Sequence, residues 1–322
     1  MNRLGLIGTF VWDTIYGRDI LTSPVEEWGG VTYTLAGLDA ALPDDWQIVP
    51  LIKVGSDLAP RAREFCSTLR RMAPGCPLIE VSNPNNRVEI RYVSDSRRTE
   101  RLTGGVPPWT WAGLQPLLHG LDALYINLLS GWEIDLETAQ LIRQHFHGPI
   151  YCDLHSLVLA IQADGLRTPR ALPNVREWCA CFDIIQVNED EMRLMAPDPM
   201  ALAATALDAG ARCLVVTLGA RGAAYFAAPD FGRLSDLRRP RPLGAVKGPL
   251  RTALVPTPVS SPSGGDPTGC GDVWGATYFS RLLAGDKLGD AIVAAHRAAG
   301  RNLAHRGATG LAGHLRGELS AT

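Results

Sequence analysis

Lysine is scarce in this chain of 322 residues, where three lysines stand beside a large excess of arginine. That imbalance reads as genome composition and carries no function. An excess of charge of one sign is also missing, since 31 basic and 33 acidic residues leave a formal net charge of −2. Such a balance supplies no electrostatic footprint for nucleic acid or for an anionic membrane surface, and neither is expected as a partner. Long hydrophobic runs are lacking too. The apolar stretch from Leu4 to Trp12 contains Gly and Thr and meets Asp13 well short of the about 20 residues a membrane span requires. No small-residue cleavage site follows it, so a signal peptide does not fit either. The seven cysteines (Cys66, Cys76, Cys152, Cys179, Cys181, Cys213 and Cys270) are odd in number and form no CxxC pair. That argues against a disulfide scaffold or a zinc ribbon and makes a reducing cytoplasm the expected compartment. His145 and His147 have no third ligand nearby in sequence, so they read as exposed polar residues at a helix end.

Familiar phosphate-binding signatures are absent as well. No G-x-x-x-x-G-K-[ST] occurs, which excludes a P-loop kinase. No G-x-G-x-x-G follows the first strand, which weighs against a dinucleotide dehydrogenase. The H-R-D catalytic loop of protein kinases is missing. What the chain does have is 33 glycines and 23 prolines, hence many tight turns or many places where backbone approaches a ligand closely. With 46% hydrophobic and 20% charged residues it can bury a sizeable core.

Strand signals recur along the whole length: Arg3 to Phe10, Gln47 to Val54, Ala123 to Leu128, Ile150 to Asp153, Ile184 to Val187 and Cys213 to Leu218. They lack strict alternation, as strands buried on both faces of a parallel sheet should. Helical stretches lie between them at Ala59 to Arg71, Glu137 to His145, Glu189 to Met195 and Pro199 to Ala209. The alternation predicts a layered α/β fold with a mostly parallel central sheet flanked by helices. Two regions break it. Asn86 to Leu102 alternates apolar and charged residues like a half-exposed antiparallel pair, and Asp13 to Gly30 has turn residues without helical period. Both are expected to form a small β flap or lid on one domain spanning 1–322. Arg233 to Pro262, rich in Pro, Arg and Gly, reads as an irregular excursion or a β meander.

The most informative segment is Asp266-Pro267-Thr268-Gly269-Cys270-Gly271-Asp272, after which apolar and small residues fall at helical spacing. Backbone N–H groups of Gly269, Cys270 and Gly271 would converge where the helix macrodipole adds positive potential, and a phosphate is the natural guest of such a turn. Asp272 then makes sense as a base that takes the proton of an attacking hydroxyl. An ordinary Gly-rich turn, with Asp272 acting on the helix dipole, is the alternative. Asp13 ends the first strand region, where α/β ligands bind, or simply turns the chain. Asn188 and Glu191 follow the strand IIQV as an N-cap and first-turn acid, or as outer-shell groups for magnesium. Gly29 and Gly30 supply turn dihedrals or close approach. Trp12, Trp28, Tyr33 and Trp132 either stack on a ligand or pack. Asp153 and His155 form a structural pair or contact a substrate hydroxyl.

The segment DPTGCGD resembles the C-terminal signature of the PfkB (ribokinase-like) carbohydrate kinase family, D-T-x-G-A-G-D, with Pro267 and Cys270 as departures. Further landmarks resemble the family in order: Gly8 and Asp13, the pair Gly29-Gly30 with Thr34 where many members have Asn, and Lys53 to Asp57 without a leading Gly. Asn188 to Glu191 (N-x-x-E), Thr217 to Gly222, and the run Ala294 to Ala308 follow. The resemblance implies a three-layer ribokinase-like fold with a β lid and an ATP-dependent kinase for a sugar or sugar-like alcohol. A nucleoside or vitamin-alcohol kinase, or a non-catalytic nucleotide- or sugar-binding member, is the alternative. It implies Asp272, Gly269, Cys270 and Gly271 as the catalytic group, and Asp13, Gly29, Gly30, Tyr33 and Asp153 at the acceptor. Thr217, Gly219, Gly222 and His296 would bind nucleotide. Asn188 and Glu191 would hold Mg²⁺ through water, and Asp266 would serve a monovalent cation such as K⁺. The partner would be a small molecule, and a homodimer through the lid is compatible with the family.

Overall fold

The computed structural model describes residues 1–17, 24–94, 97–237, 248–258 and 265–318. Its main sheet has eight strands, ordered Arg251–Val255, Ala223–Ala227, Cys213–Thr217, Ile184–Asn188, Ile150–Asp153, Ala123–Asn127, Asn2–Ile7 and Trp46–Leu51. From Cys213–Thr217 to Trp46–Leu51 neighbouring strands are parallel, and the other two extend the sheet antiparallel.

Successive residues of the central strands feed two separate apolar cores. Tyr125 and Tyr151 enter one, and Leu124, Ile126, Ile150 and Cys152 enter the other. With both faces covered, a polar face never appears, which is why these strands read as continuous apolar runs. Helices Val31–Ala41, Cys270–Leu283 and Leu288–Asn302 contribute to the first core; Leu136–His145, Val175–Ala180 and Pro199–Asp208 contribute to the second. The result is three layers, helix–sheet–helix, as the sequence leads one to expect.

Several boundaries differ from the periodicity. The strand expected over Arg3 to Phe10 stops at Ile7, and Phe10 opens a strand of another sheet. The run Gln47 to Val54 divides at Ile52, because Lys53–Gly55 leaves the main sheet to pair with Ile79–Val81. The helix expected to reach Arg71 ends at Ser67; Arg71 instead accepts from Ile48 N–H at 2.7 Å, so the chain there runs along the sheet edge.

A four-stranded second sheet is ordered Val25–Gly30, Phe10–Tyr16, Asn86–Ser94 and Arg97–Thr103. Val11, Ile15, Val88, Ile90 and Leu102 form its own apolar cluster. It starts at Phe10, earlier than the Asp13 at which turn residues begin. Leu102 N–H donates to Gly165 O at 2.8 Å and Arg101 pairs with Asp164, tying this sheet to the hairpin of Leu159–Ile161 and Arg167–Pro169. Residues 18–23 and 95–96 of the expected lid segments, and residues 238–247 and 259–262 of the expected excursion, lie outside the described residues. The described part of that excursion carries a short 3₁₀ turn, Leu234–Asp236, and the edge strand Arg251–Val255. Among the described residues no helix is long and apolar enough to cross a membrane.

Candidate active site

At the C-terminal ends of the parallel strands lie two cavities of about 340 and 370 Å³ that share Thr217, Pro267 and Gly271 as a common wall. Position alone makes this edge the ligand edge of an open α/β sheet.

The wall is built by the turn before helix Cys270–Leu283. Asp266 N–H donates to Leu303 O at 3.0 Å, and Asp266 Oδ1 accepts from Thr268 N–H at 2.9 Å. The chain then enters the helix through Gly269, whose φ of 72° is a left-handed value that favours glycine. A Cβ there would also lie 2.1 Å from Tyr33 Cδ1. Of the three N–H groups expected to face a phosphate, Cys270's is already used: it donates to Pro267 O at 3.1 Å and closes the turn. Among the described residues, the N–H groups of Gly269 and Gly271 make no internal hydrogen bond, and both residues line the first cavity. The anion cradle therefore has two free amides, not three.

Asp272 stands in the first turn of that helix, in the same cavity. Its Oδ1 accepts from Asn127 Nδ2 at 2.6 Å, and the same amide lies 2.9 Å from Thr34 Oγ1. Thr34, at the position where many relatives have Asn, thus helps to fix the group that holds Asp272. Desolvation raises the Asp272 carboxyl above the usual carboxylate range, while His155 and the Asn127 hydrogen bond pull it back.

Beside Asp272 the strand ends bring Asp153, His155 and Glu191 together, with their donor atoms within 4.8 Å of one another. His155 Nδ1 lies 3.1 Å from Glu191 Oε1. Burial alone would lower the imidazole pKa, but Glu191, Asp153 and Asp272 together raise it to about 9. Asp153 is pushed well above the carboxylate range by burial and by the charge of Glu191. Gln186 Nε2 donates to Asp153 Oδ2 at 2.8 Å and to Gly271 O at 3.2 Å, joining this cluster to the wall. Asn188 and Glu191 form a reciprocal capping box on helix Glu189–Met195, each accepting the other's N–H at 2.8 Å. Both line the cavity, but the Asn188 side-chain oxygen is committed to the cap.

Asp13, Gly30 and Tyr33 line the far end of the same cavity. Gly29 does not line it; a Cβ on Gly29 would lie 1.9 Å from Asp13 Oδ2, so the glycine makes room for that carboxylate. Arg167, with a side chain 7% exposed, donates to Leu129 O at 2.7 Å and to Ser156 Oγ, and pairs with Glu100 of the second sheet at 3.5 Å. Trp12, Trp28 and Trp132 line neither of these two cavities: Trp12 packs edge-on against Trp28, with ring centroids 5.0 Å apart.

The second cavity is lined by Thr217, Gly219, Gly222 and His296 among others, with Ala220, Trp274, Ala299 and Leu303 as apolar walls. His296 has neither ring nitrogen spare. Nδ1 accepts from Trp274 Nε1 at 3.0 Å, which leaves Nε2 to donate to Val255 O at 3.0 Å. Burial lowers its pKa, opposed by the Val255 bond, so the ring stays neutral and offers the cavity a face instead of a donor. At the back of the signature turn, Asn302 is 1% exposed and donates to Thr268 O at 2.8 Å, while its Oδ1 has no hydrogen-bond partner among the described residues.

Gln186, Glu100 and Arg167, which line the first cavity, and Asn127, which holds Asp272, are among the site residues that sequence reading missed. Asp230-Phe231-Gly232 spells the D-F-G triplet of protein kinases, but here Asp230 pairs with Arg212 and Phe231 is core.

Comparison with known proteins bears on the fold. Residues 158–312 match the family model described as pfkB family carbohydrate kinase. No curated protein sequence matches the chain. Among solved structures, a ribokinase from Thermotoga maritima is similar with a TM-score of 0.66 at 15% identity, over 98% of this chain and 99% of that one. A nucleoside kinase from Burkholderia thailandensis in complex with inosine gives 0.68 at 15% identity, over 96% and 94%. A pyrophosphate-dependent kinase of the ribokinase family, with a pyrophosphate analog and myo-inositol, gives 0.68 at 14%, over 95% and 96%.

Proposed function

We propose, from the match of residues 158–312 to the pfkB family model and from the ribokinase-like fold, that the chain is a kinase that transfers the γ-phosphoryl group of ATP to an alcohol of a sugar or nucleoside. One observation carries this reading: Asp272 stands beside the two unpartnered amides of Gly269 and Gly271, at the wall shared by two cavities. A hydroxyl held from the Asp13 end would lose its proton to Asp272 as its oxygen attacks the γ-phosphorus. The bond from that phosphorus to the bridging oxygen breaks, and ADP leaves from the second cavity. The two amides offset charge on the transferring oxygens, and loss of one such donor typically costs about 10²–10³ in kcat. Glu191, with Asp153 and His155 beside it, offers donors for a divalent cation, whose chemistry would be to neutralise phosphate charge. Asn302 Oδ1, buried and unpartnered behind the turn, suits a monovalent cation near Asp266. The second sheet serves as a lid that excludes water.

The second cavity favours a nucleotide donor, since inorganic pyrophosphate would leave its apolar walls unused. A nucleoside acceptor is favoured over a bare sugar by the aliphatic wall of Val11, Val88, Ile90 and Leu129 facing the acids of the first cavity. A coupled ADP-release screen over sugars, sugar phosphates and nucleosides tests both points. Acceptor-dependent ADP formation is expected; nucleotide binding with no ADP from any acceptor would overturn the kinase reading.

A further inference from the structure

We propose that Asp153, His155 and Glu191 form a direct-ligand site for a transition divalent cation of the Mn²⁺ type, which loads without nucleotide. Among the described residues this is the one trio of His, Cys, Asp or Glu whose donor atoms come within 4.8 Å of one another. The 3.1 Å between His155 Nδ1 and Glu191 Oε1 is also the spacing of adjacent ligands on one cation, since two donors about 2.1 Å from a metal at a right angle are about 3 Å apart.

The ligands are oriented from behind, as metal ligands usually are. Gln186 Nε2 holds Asp153 Oδ2, and the N–H of Asn188 holds Glu191 Oε2, each at 2.8 Å. Both carboxylates are deeply buried, at 5% and 8% exposure, and a third, Asp272, lines the same cavity. Buried carboxylates in such company are paired with a cation, either the protonated His155 imidazole or a metal bound in place of its proton. His155 adopts a φ of 29°, which a non-glycine residue takes only when its surroundings impose it.

Ligand chemistry sets the identity. Mg²⁺ prefers oxygen donors and keeps its waters, and it normally arrives on the nucleotide's phosphates. An imidazole in the set moves preference along the series toward Mn²⁺, Co²⁺ and Zn²⁺. The cation would face the donor's phosphates, a placement that rests on the kinase reading above; binding of the metal itself does not.

The test is a titration of the nucleotide-free protein with Mn²⁺ alone, followed by calorimetry and by loss of the free-ion electron paramagnetic resonance signal. One Mn²⁺ per chain is expected, with at least tenfold weaker binding in His155→Asn and in Asp153→Asn, and weaker competition by Mg²⁺. Unchanged Mn²⁺ affinity in both variants would overturn the site, as would no binding by the wild type below millimolar Mn²⁺. Melting curves of the two variants identify any that fails to fold, and the wild-type titration stands without them. ADP release with Mg²⁺ and ATP but no Mn²⁺ binding sinks this site alone. Mn²⁺ binding without ADP release from any acceptor sinks the kinase reading and leaves the site in place.

Discussion

Asn127 Nδ2 lies 2.6 Å from Asp272 Oδ1, although 145 residues separate the two in the chain. The amide lowers the Asp272 pKa against the desolvation that raises it. A base works only when ionised, so its activity falls as pH drops through its pKa. Asn127→Ala removes a lowering influence and moves the acid limb of the kcat profile to higher pH, with the alkaline plateau less affected. A pH–rate profile checks this; an unmoved acid limb would sink the positioning role.

Asp272→Asn keeps the size of the side chain and its place in the first helical turn but cannot accept the proton. The expected loss in kcat is about 10²–10⁴-fold, with little change in KM for the nucleotide. Steady-state ADP release measures it, and a loss below about tenfold would remove Asp272 from the role of general base.

Gly29→Ala separates acceptor binding from chemistry. Its Cβ would fall 1.9 Å from Asp13 Oδ2, so the carboxylate must move. Acceptor KM is expected to rise about tenfold or more while the KM for nucleotide stays near its wild-type value. Equal changes in both would point to general misfolding, which a melting curve resolves.

His296 makes a different prediction, about stability. Its folded pKa is lowered from 6.5, mainly by burial. As pH falls below about 6.5, the unfolded chain takes up the proton first, so stability is lost from there down to the lowered folded value. Wild-type Tm should therefore fall over that window, and His296→Gln should lack that component of the fall. Parallel melting curves at a series of pH values decide it.

The sequence carried the fold well where local chemistry repeats. Ile150–Asp153 and Glu189–Met195 have the bounds their patterns predict, and the resemblance to the family led to the right architecture. It was less informative where the signal is long-range. Asn127 ends a buried strand and meets Thr34 and Asp272 only through the folded sheet edge. Arg167 and Glu100 are unremarkable charges until a hairpin and the second sheet bring them together. Cys270 shows the reverse limit: three neighbouring amides could be read from the motif, but not that one of them closes the turn onto Pro267.

The two amides of Gly269 and Gly271 belong to the main chain, and main chain is indifferent to the letters on either side of it. Evolution can respell the neighbourhood, as with Pro267 and Cys270 here, provided the chain can still turn through Gly269. Such a cradle would survive any substitution that leaves the turn itself intact. The cradle therefore depends on the one residue that can take the left-handed turn at Gly269, and not on the side chains at Pro267 or Cys270.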